Sequence, residues 1–200
     1  MVTPGDSASE ASLIAAIVAA ANAGVDLVQI RERHLNDRRL LHLTHAAVAA
    51  LSATATRVLV NDRLDIALAA GAAGVHLRSD SFSAERARRI APPGFVIGRS
   101  VHSEQEALDA EAGGGCDYLV FGTVFPSTSK RPGHPAAGLD ALRRVCERVR
   151  LPVLAIGGIA PHMAGSLRRA GASGVAAIGL FRSAPDIQAS VSALRSAFDS

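Results

Sequence analysis

Aromatic residues are scarce in this chain of 200 residues: there is no Trp, one Tyr and six Phe, about 4% of the whole. A core must therefore be filled by Ala, Val, Leu and Ile. No Lys/Arg block and no basic stretch interleaved with aromatics is present, so the charge pattern gives no footprint for nucleic acid. Cysteine is equally sparse. Cys116 and Cys146 have neither metal-ligand spacing nor a disulfide-rich context, which suits a reducing cytoplasm. No basic segment followed by an apolar core opens the chain, so no signal peptide is expected. The apolar run 13–23 is too short and too alanine-rich to span a bilayer. Neither a G-x-G-x-x-G nor a Walker pattern occurs.

What is present is a large apolar fraction, 48%, enough to bury a sizeable core in one domain spanning 1–200. A formal charge of +3 tolerates an anionic partner without demanding one. Arg86, Arg88, Arg89, Arg143, Arg144, Arg168 and Arg169 fall in helical stretches and read as solvated faces. Short β-branched runs alternate with Ala/Leu/Arg-rich stretches. Strands are expected at 27–31, 58–60, 74–77, 96–100, 118–122, 153–156 and 175–178. Helices are expected at 9–23, 37–52, 65–70, 83–90, 104–112, 139–149, 161–170 and 185–198. The strands are nearly all apolar rather than alternating, as in a parallel sheet covered on both faces. Four helices run into small-residue turns at Gly24, Gly71, Gly113–Gly115 and Gly171, where glycine permits a left-handed cap. This is a repeated βα unit. Seven strands, with Met1-Val2-Thr3 as a short or truncated first strand, predict a (β/α)8 TIM barrel. The alternative is an open doubly wound sheet, which would carry a glycine-rich phosphate loop early in the chain.

In such a barrel the site lies at the C-terminal ends of the strands. Gln29, Arg31 and Arg33 alternate at one strand end and so share one side of it. An amide and two guanidiniums there are costly unless they are exposed, salt-bridged along the rim, or meet an anion. Asn61-Asp62 follows the next strand, and Asp62 reads either as a ligand for a divalent metal or as a helix N-cap. Ser100 ends another strand, with His102 nearby; the remaining histidines, His76 among them, read as surface or packing residues. A buried strand opens into Pro126-Ser127-Thr128-Ser129-Lys130, hydroxyls and a cation suited to phosphate. The last two turns carry Gly157-Gly158 and Gly179, bare backbone of the kind that cradles a phosphate.

Taken in order, VQIRER, LVNDRLDIAL, GVHL, IGRSVHSEQEA, DYLVFGTVFPSTSK and PVLAIGGI resemble the thiamine-phosphate synthase and TenI superfamily from about Leu27 to Leu180. The resemblance implies a (β/α)8 barrel that binds an aminopyrimidine diphosphate and a thiazole phosphate. It implies that Mg2+ helps pyrophosphate leave and that the thiazole nitrogen attacks the resulting pyrimidine-methyl cation. Carried onto this chain, Gln29, Arg31, Arg33 and Asn61 contact the pyrimidine diphosphate, Ser100 faces the pyrimidine, and Asp62 binds Mg2+. Ser127, Ser129 and Lys130 hold phosphate, Gly158 cradles the thiazole phosphate, and Gly179 allows close approach. Arg31, Ser100 and Lys130 are the catalytic candidates.

The chain also departs from the pattern. The superfamily's synthases place an acidic pair after GVHL, whose second member is a Mg2+ ligand; that position is Ser81 here, with Asp80 one residue early. The usual lysine is Arg33. SDSFS and NDRLDIA resemble the TenI branch, which isomerises a thiazole carboxylate phosphate, yet the histidine often found there is Thr123. The expected activity is thiamin phosphate synthesis, a transferase reaction. The alternatives are a thiazole tautomerase and a non-catalytic binder of thiazole or thiamin phosphates. Small-molecule phosphates are the expected partners, with no nucleic acid or membrane, possible homo-oligomerisation, and a cytoplasmic location.

Overall fold

The computed structural model describes residues 1–7, 9–127, 135–183 and 186–199. Seven parallel strands lie side by side in chain order: β1 Leu27–Ile30, β2 Arg57–Asn61, β3 Gly74–Leu77, β4 Val96–Val101, β5 Tyr118–Gly122, β6 Val153–Ile156 and β7 Gly174–Ala176. The helices are α1 Glu10–Asn22, α2 Asp37–Ala50, α3 Leu64–Ala69, α4 Ala84–Ile90, α5 Glu104–Ala112, α6 Gly138–Arg148, α7 Ala164–Arg169, α8 Gly179–Ser183 and α9 Ile187–Phe198. The strand order never reverses, which rules out a doubly wound sheet.

The two outer strands of the sheet are joined through Met1–Thr3. Val2 pairs in parallel with Gln29. The Val2 N–H donates to the Ala177 carbonyl at 2.9 Å, and the Thr3 N–H donates to the Gln29 carbonyl at 3.0 Å. The architecture is that of a (β/α)8 barrel in which a short segment stands at the position of the first strand. Glu32, 2% exposed, fixes the chain that follows this segment. Its carboxylate accepts the N–H groups of Gly5 and Ser7 at 3.0 and 3.1 Å.

Successive residues of a strand point to opposite faces. Val28, Ile30, Val58, Val60, Val75, Leu77 and Ile97 face the helices and pack with Leu13, Ile17, Leu40 and Leu43. Leu119, Phe121, Val153 and Ala155 do the same with Leu142, Val145 and Leu167. The intervening positions fill the barrel: Val2, Leu59, Tyr118, Val120 and Ala176 form a small inner cluster. The helices are aimed by side-chain caps. Ser9, Asn36, Ser83, Ser103 and Asp186 each accept the N–H three residues ahead at the start of α1, α2, α4, α5 and α9. Gly24, Gly71, Gly114 and Gly171 take positive φ, as their place in the repeated turn requires.

Several sequence expectations need correction; among the strands, β1 ends one residue earlier and β4 one residue later than expected. β7 stops at Ala176; the Ala177 carbonyl accepts the Val2 N–H, and the chain then turns into α8, a short helix that apolar runs did not announce. The stretch 161–170 divides into a 3-10 turn, Pro161–Met163, and α7. β2 is one residue longer at each end than expected. Among the described residues no helix is long and apolar enough to cross a membrane.

The narrow interior depends on one glycine. A Cβ at Gly98 would collide with the ring and hydroxyl of Tyr118, its partner on the next strand. Gly98→Ala should therefore lower the unfolding free energy by about 1–3 kcal/mol through overpacking. Urea midpoints of the two proteins test this, and an unchanged midpoint would show that Tyr118 has room to move.

Candidate active site

The parallel register sets Asn61 beside His76, His76 beside Gly98, and Gly98 beside Tyr118. Tyr118 lies over Gly98 and reaches His76: its hydroxyl is 3.1 Å from the His76 Nδ1. The other ring nitrogen, Nε2, is 2.8 Å from the Ser100 Oγ. His76 is 2% exposed, so it is neither a surface residue nor mere packing; it holds a candidate catalytic serine. Burial lowers its pKa to about 4, outweighing the pull of Asp62, and the ring is neutral at pH 7. The signal missed in the sequence is parity. In GVHL the histidine sits on the inward side of a strand whose other inward neighbour is a glycine.

Across the mouth, Gln29 is buried and its Nε2 donates to the Asn61 Oδ1 at 2.9 Å. These two expected contacts are thus one amide pair. Arg31 is half-buried beside them, close to Gly5. Its pKa is lowered, first by burial and then by Arg33. Neither Arg31 nor exposed Arg33 makes an ion pair among the described residues. The rim does hold salt bridges, but with other arginines: Arg63 pairs with Asp37 and Asp65, and Arg78 with Asp80. Arg31 is a half-buried cation with no ion pair among the described residues; Arg99, also half-buried, donates instead to the carbonyls of Ser79, Ser81 and Phe82.

Asp62 has a φ of 65° and is the only non-glycine at positive φ among the described residues. Aspartate tolerates that conformation, and it turns the side chain off the line of β2. The N-cap reading fails: α3 begins behind Arg63 with no side-chain cap. Instead the Asp62 Oδ1 accepts the Ser81 hydroxyl, and its Oδ2 lies 3.8 Å from the Arg78 guanidinium. Asp80 points away from Asp62 into a two-pronged bond with Arg78, at 2.8 and 2.6 Å. That bond holds the Asp80 carboxyl below its ordinary pKa.

Opposite, the chain after β5 is laid on the turn after β6. The N–H groups of Val124 and Phe125 donate to the carbonyls of Ile156 and Gly157, at 2.9 and 3.1 Å. Gly158, at φ 64°, sits so close beneath the Phe125 and Pro126 carbonyls that no side chain fits. Ser127 follows directly, so Ser127 and Gly158 are brought to one side of the mouth. Ser129 and Lys130, the only lysine in the sequence, lie outside the described residues. Gly179 opens α8 after the last strand. Thr123 is buried, and Gly157 has no room for a Cβ against it. His102 places its Nδ1 2.6 Å from the Gly122 carbonyl and fastens β4 to the end of β5.

No cluster of three or more His, Cys, Asp or Glu side chains is arranged around a metal site among the described residues. Asp62 with the Ser81 hydroxyl offers hard oxygen donors, but a single carboxylate. That set fits Mg2+ as an ion that keeps phosphate oxygens and water in most of its shell, not as one caged by protein.

A family model described as thiamine monophosphate synthase matches residues 1–181. The chain belongs to the thiamine monophosphate synthase family. A thiamine-phosphate synthase from Methanospirillum hungatei is 42% identical over 166 residues, 83% of this chain and 80% of that one. One from Roseiflexus castenholzii is 38% identical over 194 residues, 97% of this chain and 85% of the relative. The solved thiamine phosphate pyrophosphorylase from Pyrococcus furiosus superposes with a TM-score of 0.82 at 33% identity, covering 93% of this chain and 89% of that one. In this member of the thiamine monophosphate synthase family, the polar mouth rests on a neutral buried histidine, and that has a pH consequence.

The folded-state pKa of His76 is depressed to about 4, below the ordinary 6.5. Between those values the unfolded chain binds the proton and the folded chain does not. Stability is therefore full above the ordinary value and falls on acidification. The loss should be about 1.4 kcal/mol for each pH unit through that window. Urea midpoints for the protein and for His76→Gln, at pH 7 and pH 5, test this. The variant should lack that part of the slope; equal slopes would show that His76 titrates normally.

Proposed function

We propose that this protein is a thiamine-phosphate synthase, joining an aminopyrimidine methyl diphosphate to a thiazole phosphate with release of pyrophosphate. The observation that carries this reading is Arg31, a half-buried guanidinium with no ion pair among the described residues, two residues beyond Gln29 of the Gln29–Asn61 amide pair. A partly desolvated cation with no ion pair is costly unless an anion completes it. A departing pyrophosphate is such an anion, and its charge grows as the carbon–oxygen bond breaks.

In the reaction the bond between the pyrimidine methylene and the diphosphate oxygen breaks, and its electron pair leaves with pyrophosphate. The lone pair of the thiazole nitrogen forms the new carbon–nitrogen bond. Neither step obliges a side chain to take a proton. This suits a mouth whose buried histidine is neutral and tied between two hydroxyls. Arg31 and Arg33 would meet the diphosphate, the Gln29–Asn61 pair would orient it, and Ser100, aimed by His76, would face the pyrimidine. Ser127 and the bare backbone of Gly158 and Gly179 would hold the thiazole phosphate, with Ser129 and Lys130. Mg2+, held by Asp62, would neutralise charge on the leaving group. A tautomerase must move a proton between carbons. The position where a histidine could do so is Thr123, buried against Gly157, and this favours the synthase.

With Mg2+ present, the purified protein should convert the two substrates to thiamin phosphate and pyrophosphate. Arg31→Ala should lower kcat/KM roughly 10- to 100-fold, the worth of a hydrogen bond to a charged group. Absence of coupled product would sink the proposal. Metal-free isomerisation of a thiazole carboxylate phosphate would replace it with the tautomerase reading, and tight binding without turnover would replace it with the non-catalytic one.

A further inference from the structure

The Asp62 carboxylate is engaged on both sides. Its Oδ1 accepts the Ser81 hydroxyl, while its Oδ2 faces an Arg78 nitrogen at 3.8 Å. Arg78 is not a loose surface cation. Two of its nitrogens grip Asp80, and that grip leaves NH1 turned toward Asp62. The Arg78 backbone N–H also donates to the Ser81 Oγ at 3.0 Å, so the hydroxyl that bonds Asp62 is itself fixed from the same residue. Arg78, Ser81 and Asp62 thus form a closed unit, tied to the sequence difference at the acidic pair.

A divalent ion approaching Asp62 would meet a fixed positive charge within about 4 Å of the oxygen it needs, and it would find no second carboxylate, since Asp80 is held by the same arginine. We propose that Arg78 is a tethered competitor for the divalent cation at Asp62, so that the free protein does not hold the ion and takes it up only together with the diphosphate. A diphosphate supplies several oxygen ligands of its own and enough negative charge to draw the Arg78 NH1 off Asp62. The Asp80 grip would keep the rest of the guanidinium in place beside the bound anion. The inference rests on the reading that the diphosphate lies beside Asp62, but its test does not require turnover.

Equilibrium dialysis of Mn2+ against the purified protein, with and without inorganic pyrophosphate, tests it. Without pyrophosphate, Arg78→Ala should bind Mn2+ roughly 10-fold more tightly than the unaltered protein, as expected for removing a like charge at a half-exposed site. The double variant Arg78→Ala, Asp62→Asn should lose that gain. Arg78→Lys keeps the charge and should bind as weakly as the unaltered protein. With pyrophosphate, the unaltered protein should retain Mn2+ nearly as well as Arg78→Ala does. Equal Mn2+ affinity in the unaltered protein and Arg78→Ala would overturn the proposal. So would a gain that survives Asp62→Asn, or Arg78→Lys behaving like Arg78→Ala. If Mn2+ binding follows the expected order but no coupled product forms, the synthase reading fails and the role of Arg78 stands.

Discussion

Tyr118 lying across Gly98 decides how the inside of this barrel is filled. The interior is narrow, and every second residue of seven strands competes for it. One large ring can enter only where a neighbouring strand offers no side chain, and Gly98 is that place. Once seated, the ring carries its hydroxyl to His76, and His76 in turn reaches Ser100. The apolar floor of Val2, Leu59, Val120 and Ala176 ends at this level, and the polar mouth begins. A packing constraint at the centre of the sheet therefore sets the direction of a hydroxyl at its rim.

The same alternation explains what could be read before the structure was known. Apolar runs with repeated small-residue turns were enough for a parallel barrel, because strands covered on both faces leave that mark. Gln29, Arg31 and Asn61 were legible as strand-end polar residues, since nothing apolar explains an amide or a guanidinium there. His76 was not, because a histidine inside GVHL looks like one more buried position until the register sets it beside Asn61 and Gly98. The role of Asp62 was half legible. Its chemistry was plain, but the positive φ that takes it away from the helix start depends on the path of the chain between β2 and α3. α8 escaped because a five-residue helix that opens on a glycine carries too little periodicity to read.

Charge at the mouth is divided by partnership rather than by count. Arg63 and Arg78 are committed to carboxylates on their own loops, and such exposed pairs stabilise little but fix geometry. Arg31 is the reverse case. It is half-buried and makes no ion pair among the described residues, and desolvation and Arg33 depress it while the Glu32 carboxylate pulls the other way. A cation in that state has already lost part of its hydration, so an arriving anion gains more from it than from a solvated one. Exposure alone would rank these arginines the other way.

The departures from the family pattern fall together for the same reason. With serine at position 81, Asp62 has a hydroxyl rather than a second carboxylate beside it, and Arg78 stands 3.8 Å from its other oxygen. An arginine at this place and an acid at position 81 would compete for the same role. With serine there, the arginine holds Asp80 with two nitrogens and keeps its third 3.8 Å from Asp62. On the proposed reading the two differences are one adjustment, in which the charge of the leaving group would be shared between a guanidinium and an ion brought in with the substrate.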